Sequence, residues 1–343
     1  MWFFKKYKAI AYLPTPYTLL QYYLLEPYKI EDTLFLIDGD FPKEIANRIP
    51  GAKKLSLLSR GNIYIFSIII RYYSYRNRKT PVYLGGELPL TSLFQECFDV
   101  CYYLEDGVAS YEGVYNKERS VIRKRKSMFG WLGRCLLGNL HPWFGLAENV
   151  QTVYLTGILP IPEIIAGKVE LIDLKQLWQR MDLQQKENLL EVFLPDNSDK
   201  DILGGCETLL LTQPFTEDSS GLFSESEQIE IYRKLLSGYD ESKVLIKVHP
   251  REKTDYSNYF PKAQILWTPC PMELLTLLGL SVKRAISVNS TAIFNLDASV
   301  EKIISGYDVT SALVKEMKRR GIYDGISNKV IENRVMKKKI HCY

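Results

Sequence analysis

The chain predicts an α/β protein built from two doubly wound, Rossmann-like domains facing across a cleft. Short apolar runs alternate with helical patterns along most of the 343 residues, which implies parallel strands covered by helices on both faces. That length exceeds one ordinary hydrophobic core. A polar, turn-rich stretch, Pro195-Asp-Asn-Ser-Asp-Lys-Asp-Ile-Leu-Gly-Gly205, interrupts the alternation, and a second strand–helix series follows it. The boundaries are therefore drawn at a first domain over residues 1–195, a linker over 196–206 and a second domain over 207–343.

In the first domain, residues 6–13 read as a strand, and Pro14-Thr15-Pro16-Tyr17 opens an apolar helix that runs to Leu25. Residues 33–38 read as a strand, 41–48 as a helix and 54–58 as extended chain. The segment 63–75 is so continuously apolar that it reads as a buried helix. A strand over 81–84 then ends in Gly85-Gly86, and one over 98–104 ends in Glu105-Asp106-Gly107. Strands over 150–155 and 168–174 and a helix over 176–194 complete the domain. In the second domain, 208–212 predicts a strand, 213–222 a loop and 225–236 a helix. Val244-Leu-Ile-Lys-Val248 is a buried strand that stops at Pro250. Strands over 263–267, 284–288 and 303–307 fill out the sheet, with a helix over 271–279. Asn289-Ser290-Thr291-Ala292 turns the strand before it into a further helix. There is no internal repeat.

A hydrophobic content of 46% with 24% charged residues describes a globular chain without disordered bulk. The cysteines at 97, 101, 135, 206, 270 and 342 are scattered, and the one close pair lacks the partners of a zinc pattern, so they read as buried, reduced thiols in a cytoplasm. No apolar run is long enough to span a bilayer, and the opening Met1-Trp-Phe-Phe-Lys-Lys-Tyr-Lys is too broken by charge for a signal segment. The net charge of +4 is mild but clumped. Between 117 and 138, cations such as Arg123, Lys124, Arg125 and Lys126 surround Val121, Ile122, Phe129 and Trp131; a basic tail runs to Lys337-Lys338-Lys339. The 117–138 segment suits either an anionic membrane interface or a solvated helix packed on its apolar side. The clusters carry no recognisable nucleic-acid module, which argues against nucleic acid as a partner.

Ligands of open α/β sheets bind beyond the carboxyl ends of the strands. Polar loops fall there at Glu105-Asp106-Gly107, Glu217-Asp218, His249-Pro250-Arg251 and Ser290-Thr291. Of the three histidines, His249 alone has a strand behind it and cations, Lys247 and Arg251, on either side. A histidine so placed can exchange a proton near neutral pH. His141 reads as a turn residue, and His341 lies in the tail. Ser290 and Thr291 sit where a strand-to-helix turn favours a phosphate, or they simply cap the helix. The plain reading of Glu105-Asp106-Gly107 is a surface turn. Lys247 and Arg251 either supply positive potential or form structural ion pairs.

Strand-Lys-x-His-Pro-Arg, preceded by Glu-Asp-Gly and followed by Ser-Thr, resembles the motif set of bacterial sialyltransferases. Pro271-Met272-Glu273-Leu274-Leu275 is similar to the segment whose glutamate binds the nucleotide ribose in those enzymes. Leu13-Pro14-Thr15-Pro16-Tyr17-Thr18 and Leu211-Thr212-Gln213-Pro214-x-x-Glu217-Asp218 further resemble glycosyltransferase family 52, and together the motifs span residues 12–294. The resemblance implies a GT-B-type fold and inverting, metal-independent transfer from CMP-sialic acid with no cofactor. The acceptor it implies is a terminal galactose, or similar sugar, of a bacterial capsule or lipooligosaccharide glycan that can be lipid-linked. His249 would act as acid or cation beside the leaving phosphate. Ser290 and Thr291 would hold that phosphate, Glu273 the ribose, and Lys247, Pro250 and Arg251 would line the donor. The base would be Asp106 or Glu105, with Glu217 or Asp218 as rivals. A UDP-sugar-dependent hexosyltransferase on the same fold is the alternative. An anionic membrane surface on the inner face of the plasma membrane and a second copy of the chain are further candidate partners.

Overall fold

A computed structural model describes residues 5–37, 41–55, 60–112, 145–195, 204–219 and 222–320. The basic segment 117–138, the lysine tail, His141, His341 and most of the 196–206 stretch lie outside these residues. The chain divides into two compact units, Met1–Phe193 and Leu194–Tyr343.

The first unit is wound on a seven-stranded sheet of order β3-β2-β1-β4-β5-β6-β7, and every pairing is parallel. Its strands are β1 (Ala9–Leu13), β2 (Thr33–Ile37), β3 (Lys53–Lys54), β4 (Val82–Leu84), β5 (Cys101–Leu104), β6 (Val150–Leu155) and β7 (Val169–Leu171). Every residue of β1, β2 and β4 is buried, as expected of a parallel sheet with both faces covered. The helices are α1 (Pro16–Leu25), α2 (Lys43–Arg48), α3 (Arg60–Asn77), α4 (Thr91–Cys97), α5 (Ala109–Glu112), α6 (Leu174–Arg180) and α7 (Leu183–Phe193). Local chemistry sets α1: Thr15 caps it and closes a capping box with Thr18, and Pro16 occupies the first turn, where its missing N–H has no cost.

The second unit holds a five-stranded parallel sheet of order β10-β9-β8-β11-β12, formed by β8 (Thr208–Leu211), β9 (Val244–Lys247), β10 (Gln264–Leu266), β11 (Arg284–Ser287) and β12 (Glu301–Ile304). Its helices are α8 (Phe215–Asp218), α9 (Glu225–Leu236), α10 (Met272–Leu277) and α11 (Ser311–Arg319). A capping box between Ser224 and Glu227 starts α9.

Strand order reverses between β1 and β4 in the first sheet and between β8 and β11 in the second. Both crevices lie beyond the carboxyl ends of the strands. Several sequence expectations shift. The apolar segment 63–75 is helical but only half covered, since Ile65, Ile68, Tyr72 and Tyr75 face outward. β5 begins at Cys101 rather than at 98, after helix α4, and the helix of 176–194 is two helices broken near Met181. The 213–222 loop contains the helical turn α8. The Asn289–Ala292 turn opens a short 3-10 helix, Thr291–Asn295, in place of an α-helix. Cys97, Cys101, Cys206 and Cys270 are buried, and burial pushes the Cys101 thiol up to about 12, which leaves it an inert hydrophobe at neutral pH.

Candidate functional site

Two clusters of titratable groups stand at strand carboxyl ends, one in each unit. In the first unit the switch-point loops follow β1 and β4, and β5 beside them ends in Glu105-Asp106. Two glycines let these loops close up. A Cβ on Gly85 would lie 2.8 Å from Pro14 Cδ, and one on Gly86, whose φ is +143°, would lie 2.9 Å from Asp106 Oδ2.

The adjacent carboxylates do different things. Glu105 is fully buried and saturated: it accepts from Tyr17 Oη at 3.0 Å, Tyr111 Oη at 2.8 Å, the Thr156 N–H at 2.6 Å and the Thr156 hydroxyl at 2.9 Å. Its own backbone exchanges both bonds with the Gln21 amide, at 2.7 and 3.0 Å. These bonds tie α1, α5 and the loop after β6 to the end of β5. Burial raises the Glu105 pKa and the donors oppose the rise. A carboxylate with every lone pair engaged makes a poor base, so this residue is placed as an anchor. Asp106 is half-buried; its N–H donates to Ser110 Oγ at 2.7 Å, and neither carboxylate oxygen has a hydrogen-bond partner among the described residues. Burial, and then the neighbouring Glu105 charge, push it up to about 6. An unengaged carboxylate titrating near neutrality is suited to taking a proton.

In the second unit β9 delivers His249 past its last residue, Lys247. The His249 N–H donates to Thr212 Oγ1 at 2.9 Å and to Glu252 Oε2 at 3.0 Å. Glu252 also accepts from the Thr212 hydroxyl, from Tyr256 Oη at 3.0 Å and from Gln228 Nε2 at 3.2 Å. Burial pushes its carboxyl up to about 7. The histidine ring is oriented from behind: the Arg251 N–H donates to His249 Nδ1 at 3.2 Å. In the neutral ring the proton therefore sits on Nε2, which has no partner among the described residues. Burial first, then the Arg251 and Lys247 charges, hold the pKa down at about 4. His249 is thus not a cation at neutral pH; it presents a neutral Nε2–H donor.

The other expected residues divide. Arg251 is committed to a two-pronged pair with Asp218, at 2.6 and 3.4 Å, and Arg320 approaches the same carboxylate at 3.9 Å. For Arg251 the structural ion pair is therefore what forms, and Asp218 is held as its partner. Lys247, nearly buried, has no ion-pair partner among the described residues and remains a source of positive potential. Pro250 is exposed beside the histidine. Glu217 Oε1 accepts from the Lys253 N–H at 2.9 Å, whereas its Oε2 is buried without a partner. Ser290 precedes the 3-10 helix without capping it, so its hydroxyl is not spent on the competing role. Thr291 begins that helix. Glu273, on α10, is bonded by the Asn295 side chain at the far end of the same 3-10 helix, which brings the expected ribose and phosphate residues onto joined elements. The Asn289 N–H donates to Gln213 Oε1 at 2.9 Å and links the two loops of the switch crevice.

Sequence reasoning passed over Glu252, Thr212, Gln228 and Tyr256, the group that fixes the histidine loop. The available signal was Glu252 three residues after His249, an acid in turn register with the backbone it accepts from. Tyr17 lies in the Leu13–Thr18 motif, but nothing there pointed to Glu105; Tyr111 and Thr156 carried no signal, because they reach Glu105 from distant parts of the chain.

The model of glycosyltransferase family 52 matches residues 64–311. An uncharacterized protein of Haemophilus influenzae is 30% identical over 272 residues, covering 77% of this chain and 83% of that protein. Among solved structures, an α/β-galactoside α-2,3-sialyltransferase from Photobacterium phosphoreum aligns over 93% of this chain and 97% of its own, with a TM-score of 0.55 and 13% identity. The GT-B domain of a sialyltransferase from Photobacterium damselae aligns over 92% and 97%, with a TM-score of 0.54 and 11% identity. Those two likenesses establish the GT-B fold, and the family match, which takes in the Asp106, His249, Glu273 and Ser290 loops alike, establishes kinship: the chain belongs to glycosyltransferase family 52.

Proposed function

We propose that this glycosyltransferase moves sialic acid from CMP-sialic acid to a terminal galactose, or similar sugar, of a bacterial capsule or lipooligosaccharide glycan, with inversion and without a metal. The observation that carries the reading is the His249 loop, in which Nδ1 is occupied by the Arg251 N–H and Nε2–H is left as a donor. As the acceptor oxygen bonds to the anomeric carbon, the bond to the CMP phosphate oxygen breaks, and that oxygen gathers negative charge. A fixed Nε2–H donor gains strength as this charge develops, which lowers the barrier. The incoming charge also raises the imidazole pKa from its depressed value. With Nδ1 held by the Arg251 N–H, however, the neutral ring has no second proton to give, so it acts as a hydrogen-bond donor and the CMP phosphate leaves as the anion. Ser290 and Thr291 serve the phosphate, Glu273 the ribose, and Lys247 and Pro250 line the donor. Asp106 takes the proton of the acceptor hydroxyl. The buried, unpartnered Glu217 Oε2 favours a second assignment of the base to Glu217.

A cytoplasmic site of action, peripheral on the inner face of the plasma membrane, goes with a nucleotide-activated donor. Mass spectrometry of products from CMP-sialic acid or UDP-glucose with a panel of galactosides tests the proposal. The expected product is a sialylated galactoside formed without added metal. Hexosyl transfer from the UDP-sugar, together with thermal stabilisation by UDP and none by CMP, would assign the chain to the hexosyltransferases instead.

A further inference from the structure

Helix α3 is apolar on both sides, which a helix on the surface of a globular domain does not require. Its inner face buries Ile70 and Tyr73 in the sheet core. Its outer face carries Ile65 and Ile68, each 57% exposed, with Tyr72 at 47% and Tyr75 at 88%. The spacing i, i+3, i+7, i+10 lines these side chains into one stripe along an 18-residue helix. At 1.5 Å per residue such a helix is about 27 Å long. The one charge between Tyr64 and Tyr75 is Arg71, half-buried and paired with Glu96 at 3.1 Å.

At its carboxyl end the stripe runs into cations. Tyr75 and Arg76 line an open concavity with Lys6, Lys8, Arg78 and Lys79. The carboxylates in it are already engaged, Asp32 by Lys8 at 2.7 Å and Asp99 by Arg78 at 2.5 Å. Lys6, Arg76 and Lys79 have no ion-pair partner among the described residues, so the rim is net positive.

We propose that this face seats the enzyme on an anionic lipid surface, with the Ile–Tyr stripe in the boundary of the headgroup layer and Lys6, Arg76 and Lys79 on the phosphates. An apolar stripe joined to unpaired cations matches that environment on both counts, and tyrosine suits its depth. A second copy packed on the same face would offer only more apolar surface and more cations, leaving the charge unanswered. Because β3 and β4 are parallel, α3 runs back against the strand direction. A flat-lying α3 then sets the strands of this unit along the bilayer plane, with Lys6, Arg76 and Lys79 at their amino ends. The docking assignment does not depend on which sugar nucleotide is used.

Flotation of the full-length protein with vesicles of phosphatidylcholine alone, or mixed with phosphatidylglycerol, tests it. The expected result is salt-sensitive binding to the anionic vesicles that falls at least tenfold in Ile68→Glu/Tyr72→Glu, with turnover of soluble substrates unchanged. Arg76→Glu/Lys79→Glu, which alters exposed charge only, is expected to lose binding similarly and keeps the test open if the first variant folds poorly. Three results would overturn the proposal: no binding of the wild type, flotation of both variants at the wild-type level, or light scattering showing a dimer that Ile68→Glu/Tyr72→Glu dissociates while flotation persists.

Discussion

The ends of β5 and β9 solve the same problem with different reach. Each pairs a buried, saturated carboxylate with a neighbouring ionisable group left unspent: Glu105 beside Asp106, and Glu252 beside His249. The Glu105 donors come from up to 88 residues away in the chain, so that cluster locks three elements of its unit together. The Glu252 bonds are more local, from its own loop, the end of β8 and α9, so that cluster locks one loop. Burial then drives the two free groups toward opposite ends of the scale, Asp106 up to about 6 and His249 down to about 4. Both end uncharged more readily than in water, one suited to accept a proton and the other to donate a hydrogen bond. The comparison shows that the anchor's reach decides whether its loss is felt as folding or as chemistry.

The largest expected effect breaks the second cluster at its free group. His249→Ala should lower transfer by ~10³-fold or more while leaving the melting temperature near wild type, because general acid–base and oxyanion-type contributions run to that size. A loss under tenfold would remove His249 from the leaving-group side. Next, Glu105→Ala strips a partner from four donors at once and should destabilise the first unit by about 3–5 kcal/mol, read by urea unfolding, since breaking buried charged networks costs that much. A stability change within error would show that the anchor role is misassigned.

Asp106→Asn sharpens the contrast between neighbours. It should fold normally yet transfer ~10²-fold more slowly. In the wild type, activity should fall as pH drops through about 6, because the base must be ionised, and this acid limb should vanish in the variant. The same raised pKa makes Asp106 favour folding below its ordinary carboxylate range, a contribution lost as pH rises through about 6, so stability and activity should run in opposite directions there. Full transfer by Asp106→Asn, with loss in Glu217→Gln, would hand the base to Glu217. The smallest effect belongs to Arg251→Ala. Its exposed pair with Asp218 should change stability by less than about 1 kcal/mol and less still in high salt.

Much of this is legible in the sequence. Alternating apolar runs dictated parallel α/β sheets, because strands buried on both faces leave continuous apolar stretches, as in Ala9–Leu13 and Val244–Lys247. Pro250 marked where β9 had to stop, and the turn residues after β5, β9 and β11 marked the crevice loops. The apolar run that became α3 misled, because composition alone does not distinguish burial in the core from exposure to some other apolar partner. Periodicity could not resolve it, since both helix faces are apolar.

The chemistry within each loop was decided by folding. Glu105 and Asp106 are adjacent carboxylates that nothing local distinguishes. Only the arrival of Tyr17, Tyr111 and Thr156 from remote segments spends one and spares the other. His249 likewise reads as a titratable group near pH 7 until burial, Lys247 and Arg251 depress it and the Arg251 N–H selects the tautomer. Hydrogen bonds and desolvation act through space, so the residues that set a side chain's protonation need not be its neighbours in sequence. Residue types and their order along the strands establish where chemistry can occur; the packed structure establishes which atoms remain free for it.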